Sequence, residues 1–347
     1  MTVTDDRLVV LDAQDVSRLL PMRECIDVMA ATLATVAKGD AILPLRPMIR
    51  LPSSPNIFAL MPAYLGVPKS VGVKVLTVFP GNHGTPIDAH QGAVLLFEAD
   101  HGRLLAIADA TTMTAIRTAA VSAVATQLLA REEAADLAIL GAGTQAQMHL
   151  EAMMLVRPVH RLRVWSRTFA HAERLAVLAR ERFDLAAEAC LTQSEAVKGA
   201  AIVCTTTASA TPIVESSWLA PGTHINAVGA CFPTTRELTT DVIQRSRLYV
   251  DRRESALTEP GDILIPLGEG AIRKEHIIAE IGELLLPGGE RLCRRSDDEI
   301  TVFKSVGLAV EDLAAAHHVY QKARASGAGT WLALGGAHAS AQAEQPA

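Results

Sequence analysis

The chain has 347 residues, of which 49% are hydrophobic and 20% are charged, and its formal net charge at pH 7 is −6. This length predicts about two globular domains, and the lack of a basic block argues against a nucleic-acid-binding protein. The N-terminus lacks the cationic and apolar regions of a signal peptide, and no apolar run reaches the ~20 residues that span a bilayer, so no membrane partner is expected.

The first third of the chain predicts a helix followed by β-structure. Residues 15–38 carry apolar side chains at helical spacing. Between residues 41 and 105, apolar runs such as 71–79 and 92–97 alternate with turns that contain Gly and Pro, a pattern typical of strands. Residues 111–130, rich in Ala and Thr, predict a helix that leads into the next region.

The middle of the chain predicts a parallel, doubly wound α/β sheet, because strand-like runs alternate with helical segments. The candidate strands span residues 137–140, 162–165, 201–205, 224–228 and 248–250. Further along, a loop with a short helix is expected at residues 259–289, and a short strand and a long amphipathic helix at residues 297–325. The small, polar residues 335–347 predict a disordered tail.

The five cysteines are scattered along the chain, without metal-ligand spacing. They predict free thiols in a reducing cytoplasm and no metal site.

The most specific motif is a glycine-rich turn, Gly141-Ala-Gly-Thr-Gln-Ala146, between an apolar run and a helical segment. In a dinucleotide-binding fold, Gly141 would form the turn, Gly143 would admit the pyrophosphate, and Ala146 would let the helix pack closely on the strand. Thr144 and Gln145 would open that helix, whose exposed N–H groups and dipole favour an anion.

A second strand-like run is followed by Ser166, Arg167 and Thr168, where such folds contact the adenosine ribose. A cofactor without a 2′-phosphate usually meets Asp or Glu there. Arg167 would instead attract a 2′-phosphate, and the two hydroxyl groups could donate to it. The sequence therefore predicts NADPH as the preferred cofactor, with NADH also possible. The alternative is a solvated arginine at a strand end.

Three cations, Arg46, Lys74 and Arg117, lie between apolar neighbours in the sequence. An unpaired buried ammonium is very costly, so Lys74 must reach an anion or a solvent cavity. Each cation alone also fits an internal ion pair or a snorkelling stem. Together they suit a small anionic substrate, most simply a carboxylate. Of the nearby histidines, His83 is expected to be exposed in a turn, and His90 is either structural or part of the site.

Several segments, in order along the chain, resemble the ornithine cyclodeaminase/mu-crystallin family. They are residues 61–64, 74–77, 90–91, 95–98, 114–120, 140–146, 225–229 and 302–312. The resemblance implies an α/β protein with a Rossmann-type doubly wound NAD(P)-binding domain at residues 119–306. It also implies an α+β substrate and dimerisation domain, built from both chain ends at residues 1–118 and 307–347, and a homodimer.

The resemblance also implies roles for individual residues. Arg46, Lys74 and Arg117 fall on the family's ligands for the substrate carboxylate. The positions that fall near the cofactor are Thr205, Val228, Lys304 and Ser305.

One departure from the family pattern favours a reductase over a lyase. Cyclodeaminases carry an aspartate just after the Asn-Ala-Val-Gly segment, where it contacts the amine and the hydrolytic water. Here Cys231 occupies that position in the substrate site, and no carboxylate precedes Glu237. A thiol is mostly neutral at pH 7 and replaces a carboxylate base poorly. The layout resembles the ketimine reductase branch of the family.

The sequence therefore predicts NAD(P)H-dependent reduction of a cyclic imino acid, Δ1-pyrroline-2-carboxylate or Δ1-piperideine-2-carboxylate, to proline or pipecolate. The three cations would orient the C=N carbon. Lys74, with its pKa lowered by cationic neighbours, or a bound water would protonate the imine. Glu259 and Asp262 are candidates for contacting the iminium, with a loop cap as the alternative. Other functions left open are an ornithine cyclodeaminase, an alanine- or opine-type dehydrogenase, and a non-enzymatic ligand-binding crystallin.

Overall fold

A computed structural model describes residues 7–82 and 84–334. His83 and the predicted polar tail at residues 335–347 lie outside the described residues. The strands are β1 (Arg7–Leu11), β2 (Ala41–Ile42), β3 (Met48–Arg50), β4 (Ile57–Leu65), β5 (Ser70–Val78), β6 (His90–Phe97), β7 (Leu104–Asp109), β8 (Asp136–Leu140), β9 (Arg161–Trp165), β10 (Ala186–Ala189), β11 (Ile202–Thr205), β12 (His224–Ala227), β13 (Arg247–Val250), β14 (Ile277–Glu280), β15 (Thr301–Lys304) and β16 (Thr330–Ala333).

The helices follow the same chain order. They are α1 (Ala13–Leu19), α2 (Met22–Ala37), α3 (Ala110–Leu129), α4 (Thr144–Val156), α5 (Phe169–Phe183), α6 (Gln193–Val197), α7 (Thr240–Arg245), α8 (Arg253–Ala256), α9 (Gly261–Gly268) and α10 (Ala309–Ser326). No helix of the described chain is long and apolar enough to cross a membrane.

The chain divides into two compact units. The first contains the described parts of Met1–Pro21, Ala41–Met113 and Asp312–Ala347, and the second contains Met22–Asp40 and Thr114–Glu311. The boundaries predicted from the sequence lie at 118/119 and 306/307. That prediction also places residues 22–40 in the first domain, whereas the structure groups them with the second unit. The roles predicted for the two domains stay predictions.

The prediction of helical structure through residues 15–38 is wrong at one point, because α1 and α2 are separate helices. Leu20 leaves the helical conformation, with φ −122° and ψ 66°, just before Pro21. Proline has no N–H to donate and disfavours helical backbone in the residue that precedes it. The chain passes from the first unit into the second at this same break.

The first unit is built on a mostly antiparallel sheet with the strand order β16-β1-β7-β6-β5-β4-β2, and β3 pairs with β4. Among the strands described for this sheet, only β1 and β7 pair in parallel. The side chains of β4 alternate strictly between buried and half-buried, which is the period of a strand with two different faces. Strands β1 and β16, which the sequence did not predict, pair with each other near the two chain ends.

The second unit contains an all-parallel sheet with the strand order β10-β9-β8-β11-β12-β15-β13-β14. Apolar side chains such as Leu140, Val203 and Val302 are fully buried in its core. From β8, the chain proceeds to β9 and β10 on one side and to β11 and β12 on the other. This reversal is the switch point at which doubly wound sheets bind ligands, beyond the carboxyl ends of the strands. The predicted Rossmann-type fold is confirmed.

Candidate dinucleotide and substrate sites

The glycine turn after β8 requires a glycine at its first position. Gly141 has φ +119°, and its N–H donates to the Trp165 carbonyl oxygen at 2.8 Å. A Cβ atom at this position would lie 2.5 Å from Thr206 Oγ1 and 2.8 Å from the Thr206 carbonyl oxygen. The turn therefore presses directly against the residue that follows β11, at the switch point of the sheet.

Gly143 lies in the opposite environment. It is the N-cap of α4, with φ −90° and no side-chain capping bond, and a Cβ atom there would meet nothing within 4 Å. Thr144 is also exposed, whereas Ala146 is fully buried. The first N–H groups of a helix have no partner within it. An open cradle above such N–H groups fits the pyrophosphate of a dinucleotide.

The residues after β9 offer a cation and hydroxyl groups without a carboxylate. Arg167 is exposed and Ser166 is half-buried. Thr168 is the N-cap of α5, but its side chain makes no capping bond. Gln145, on the neighbouring helix, donates from Nε2 to the Thr114 carbonyl oxygen at 3.4 Å.

A buried carboxylate that sequence reasoning did not assign, Glu237, lies at the carboxyl edge of this sheet. It accepts from Thr205 Oγ1, Thr207 N and Thr207 Oγ1, each at 2.7 Å, and from Gly229 N at 2.8 Å. Burial raises the pKa of Glu237, and the charge of Lys304 and the threonine hydroxyl groups oppose this rise. No motif or spacing that we identified in the sequence indicates these contacts of Glu237.

Lys304 and Asp262 form a fully buried ion pair behind Glu237, with 3.1 Å between Lys304 Nζ and Asp262 Oδ2. Burial lowers the pKa of Lys304, but the charge of Asp262, with Cys231 and Glu237, outweighs it and leaves that pKa above its ordinary value. Asp262 Oδ1 also accepts from the N–H groups of Glu237 and Leu238, at 2.8 and 3.0 Å. Asp262 therefore matches the loop-cap alternative.

The other residues assigned to the cofactor lie at the ends of neighbouring strands. Thr205 ends β11, and its hydroxyl is committed to Glu237. The N–H of Val228 donates to the Thr205 carbonyl oxygen, and the N–H of Ser305 donates to the Ala227 carbonyl oxygen, both at 3.0 Å. Both side chains are buried. The fold thus brings these positions together at one edge of the sheet.

Cys231 and Glu259 are both partly buried in this unit. Cys231 Sγ lies 3.5 Å from the Val228 carbonyl oxygen. Glu259 follows α8, and its N–H donates to the Ser255 carbonyl oxygen at 3.0 Å. In the described part of the chain, no group of three or more His, Cys, Asp or Glu side chains is arranged to hold a metal ion.

In the first unit, Lys74 points to the buried face of β5, in register with Met61 on β4 and Val94 on β6. Its Nζ lies 2.6 Å from Asp312 Oδ2, and the two side chains are 5% and 1% exposed. This neighbour is an anion. The cationic neighbours and the lowered pKa expected for Lys74 from the sequence stay predictions.

Helix α10 packs closely on β5 beside Lys74, because β5 carries a glycine, Gly72, two residues earlier. A Cβ atom on Gly72 would lie 2.5 Å from the Leu95 carbonyl oxygen and 2.7 Å from Leu313 Cδ1. In the same unit, Arg46 is half-exposed between β2 and β3, and His90 is exposed at the start of β6.

Arg117 belongs to the second unit and forms its own buried ion pair, with 2.7 Å between its Nη1 and Glu311 Oε2. Its guanidinium lies over Gly307, where a Cβ atom would approach Nη1 to 2.8 Å. Gly307 has φ +84°, and its N–H donates to Asp251 Oδ2 at 2.7 Å. Lys74 and Arg117 thus both satisfy the ion-pair alternative, and their substrate role stays a prediction.

Comparisons with known proteins agree over most of the chain. The model of the ornithine cyclodeaminase/mu-crystallin family matches residues 7–327. Ketimine reductase mu-crystallin of Mus musculus is 39% identical over 295 residues, which are 84% of this chain and 90% of that protein.

Two solved structures are similar over nearly their full length. The structure of Thermococcus litoralis Δ1-pyrroline-2-carboxylate reductase in complex with NADH and L-proline has 34% identity and a TM-score of 0.90, covering 93% of this chain and 99% of its own. An archaeal alanine dehydrogenase dimer with bound NAD has 29% identity and a TM-score of 0.87, covering 94% of this chain and 99% of its own.

Proposed function

This chain belongs to the ornithine cyclodeaminase/mu-crystallin family, and from that premise we propose that it reduces cyclic ketimine carboxylates with NAD(P)H. The substrates are Δ1-pyrroline-2-carboxylate and Δ1-piperideine-2-carboxylate, and the products are proline and pipecolate. The observation that carries the choice of a reductase over a lyase is Cys231. Its thiol occupies the position at which a cyclodeaminase needs a carboxylate base.

The dinucleotide is held by the turn from Gly141 to Ala146, with its pyrophosphate at the N-terminus of α4. The open space at Gly143 supports this assignment. NADPH is preferred over NADH, because the exposed guanidinium of Arg167 would pair with a 2′-phosphate and residues 166–168, which follow β9, include no Asp or Glu. When bound, the reduced nicotinamide supplies a hydride.

The substrate carboxylate is bound by Arg46, Lys74 and Arg117. An ammonium has three donors and a guanidinium has five, so a single ion pair does not exhaust either group. Within its own unit, Lys74 is held by Asp312, and Arg117 is held by Glu311 in the other unit. Fixed donors orient the C=N carbon for reduction. As a charged ammonium, Lys74 Nζ also carries a proton that the imine nitrogen can take.

The protein is proposed to be a homodimer through the sheet of the first unit. One face of this sheet is apolar yet only partly buried, in a row of paired residues across four strands: Pro62, Val73, Leu95 and Ile107. Apolar patches of this kind mark interaction surfaces. A cytoplasmic location is proposed as well, supported by the free thiols of Cys190, Cys204 and Cys293.

The test is to follow oxidation of NADPH and of NADH with each cyclic imine, and ammonia release from ornithine in parallel. The proposal predicts imine-dependent oxidation, faster with NADPH, and no ammonia from ornithine. Ammonia release at rates comparable to imine reduction would show that the argument from Cys231 is wrong. Absence of turnover with both imines would favour a ligand-binding protein.

A further inference from the structure

The residues that donate hydrogen bonds to the Glu237 carboxylate belong to one half of the parallel sheet. In a doubly wound sheet, each half beyond the switch point binds one mononucleotide. Strands β8, β9 and β10 form the half that carries Arg167 and the glycine turn. Thr205 ends β11 and Gly229 follows β12, so Glu237 links the ends of two adjacent strands in the other half.

The backbone of Glu237 is itself held in place by Asp262. Its backbone N–H and that of Leu238 donate to Asp262, and Asp262 pairs with the buried Lys304 at the end of β15. A Cβ atom on Gly229 would lie 2.6 Å from Glu237 Oε1, so the carboxylate approaches this backbone as closely as a glycine permits. Two buried carboxylates, those of Glu237 and Asp262, thereby join three neighbouring strand ends.

Each oxygen of Glu237 accepts one backbone N–H and one hydroxyl. Oε1 accepts from Thr207 N and Thr207 Oγ1, and Oε2 accepts from Gly229 N and Thr205 Oγ1. A hydroxyl can turn to accept a proton, but a backbone N–H cannot. An amide in place of the carboxylate would therefore set an NH2 group against a backbone N–H in either of its orientations.

From these contacts we infer that Glu237 is a positioning residue for the nicotinamide half of the dinucleotide site. It acts by fixing residues 205–207 and the Val228–Gly229 backbone, and it does not act on the adenosine half beside β9. The inference rests on the proposed NAD(P)H-dependent function. Thr205 contributes through this network, because its hydroxyl is buried against Glu237.

The test compares ligand affinities of the intact protein and its Glu237→Gln variant by equilibrium binding. The full ligands are NADPH and NADH, and the adenosine half-ligands are 2′,5′-ADP and 5′-AMP. Loss of charge-assisted hydrogen bonds predicts a dissociation constant for the full ligand that rises about 10- to 100-fold. The half-ligand should keep its wild-type affinity.

Glu280→Gln is the matched control, because Glu280 accepts a backbone N–H of the same unit, that of Arg253 at 2.8 Å, from the end of the outer strand β14. It should leave both affinities unchanged. If Glu237→Gln does not fold, the isosteric Thr207→Val removes a single donor to the carboxylate and should show the same selective loss at smaller size.

Equal weakening of full and half-ligands, or no weakening of either, would overturn the positioning role while leaving the proposed function intact. Failure of the wild-type protein to bind both NADPH and NADH would overturn the proposed function and the inference with it.

Discussion

The charge of Lys74 has a buried counterpart in Asp312, and this pair changes what a substitution of Lys74 should do. From the sequence alone, Lys74→Met is expected to leave the fold intact. The substitution takes a buried ion-pair partner away from Asp312, and removing one member of a buried pair typically costs about 3–5 kcal/mol. We expect the double variant Lys74→Met/Asp312→Asn to recover most of that loss in urea-induced unfolding. Equal stability of the single variant and the wild type would contradict the buried pair.

The same two variants separate carboxylate binding from proton delivery by Lys74. If Lys74 only binds the substrate carboxylate, the KM for the imine rises and kcat changes little. If it also delivers the proton, kcat falls by about 10²–10⁴-fold, and the alkaline limb of the pH profile shifts. Steady-state kinetics across pH measure both. Wild-type constants in the double variant would reduce Lys74 to a structural ion pair.

The proposed preference for NADPH depends on a single exposed residue, Arg167. Arg167→Ala should raise the KM for NADPH by an amount equivalent to about 1.5–3 kcal/mol, the range for a charge-assisted hydrogen bond, and leave that for NADH nearly unchanged. The control is Arg174→Ala, which removes another exposed cation from the following helix, α5. Equal effects of Arg167→Ala on both cofactors would refute the assignment.

At the scale of elements, the turn between β8 and α4 contains two glycines in different environments. Gly141→Ala places a Cβ 2.5 Å from Thr206 Oγ1 at a positive φ, so this variant should lose stability. Gly143→Ala meets no protein atom, so it should keep the wild-type Tm but lose dinucleotide affinity. Thermal unfolding and equilibrium binding of NADPH distinguish the two. If Gly143→Ala binds NADPH with unchanged affinity, the pyrophosphate does not bind at this turn.

The elements that the sequence predicts well are those whose periodicity is local. The Ala-rich helix expected at residues 111–130 is found as Ala110–Leu129, and the strands of the parallel sheet are apolar runs between helices. The helix break at Pro21 is also a local signal, which the apolar spacing on both sides obscured. Pairing of β1 with β16 joins residues more than 300 positions apart, and no local pattern encodes it.

In the candidate site, too, some residues are recognisable from local sequence, and others are recognisable only from the fold. The glycine turn and the three cations stand out because glycine and charge are unusual within apolar sequence. The partners Glu311 and Asp312 do not stand out, because acidic residues near the start of a helix are ordinary. Glu237 is equally inconspicuous, since only the fold brings Thr205, Thr207 and Gly229 around its carboxylate.

For the whole molecule, two buried histidines predict sensitivity to acid. Burial lowers the pKa of His149 to about 4 and that of His224 to about 3. As pH falls below about 6.5, the unfolded chain takes up protons that the folded protein does not, so the unfolded state is favoured. For His149, stability is fully present above that pH and is lost progressively toward pH 4, by roughly 3 kcal/mol in total.

The variant His149→Gln should therefore lose less stability between pH 7 and pH 5 than the wild type, as measured by urea-induced unfolding. His149 bonds to the Gln145 carbonyl oxygen and to Ser122 Oγ, so the variant should also start from a lower stability at pH 7. His160→Gln, an exposed histidine, is the control and should follow the wild-type slope. If the stability of His149→Gln falls between pH 7 and pH 5 as steeply as that of the wild type, His149 is not a source of the acid sensitivity.

The proposed reaction passes a hydride from the reduced dinucleotide to the C=N carbon of a cyclic imino acid. To follow that hydride, the protein and Δ1-piperideine-2-carboxylate are incubated with NADPH that carries deuterium at one of the two positions on C4 of its nicotinamide, each position in a separate reaction, and the deuterium is located by NMR and mass spectrometry. One of the two labelled forms should yield pipecolate with one deuterium at the α-carbon, in amounts equal to the NADPH consumed. Pipecolate without deuterium from both forms, or no pipecolate while ornithine yields proline and ammonia, would show that this transfer does not occur.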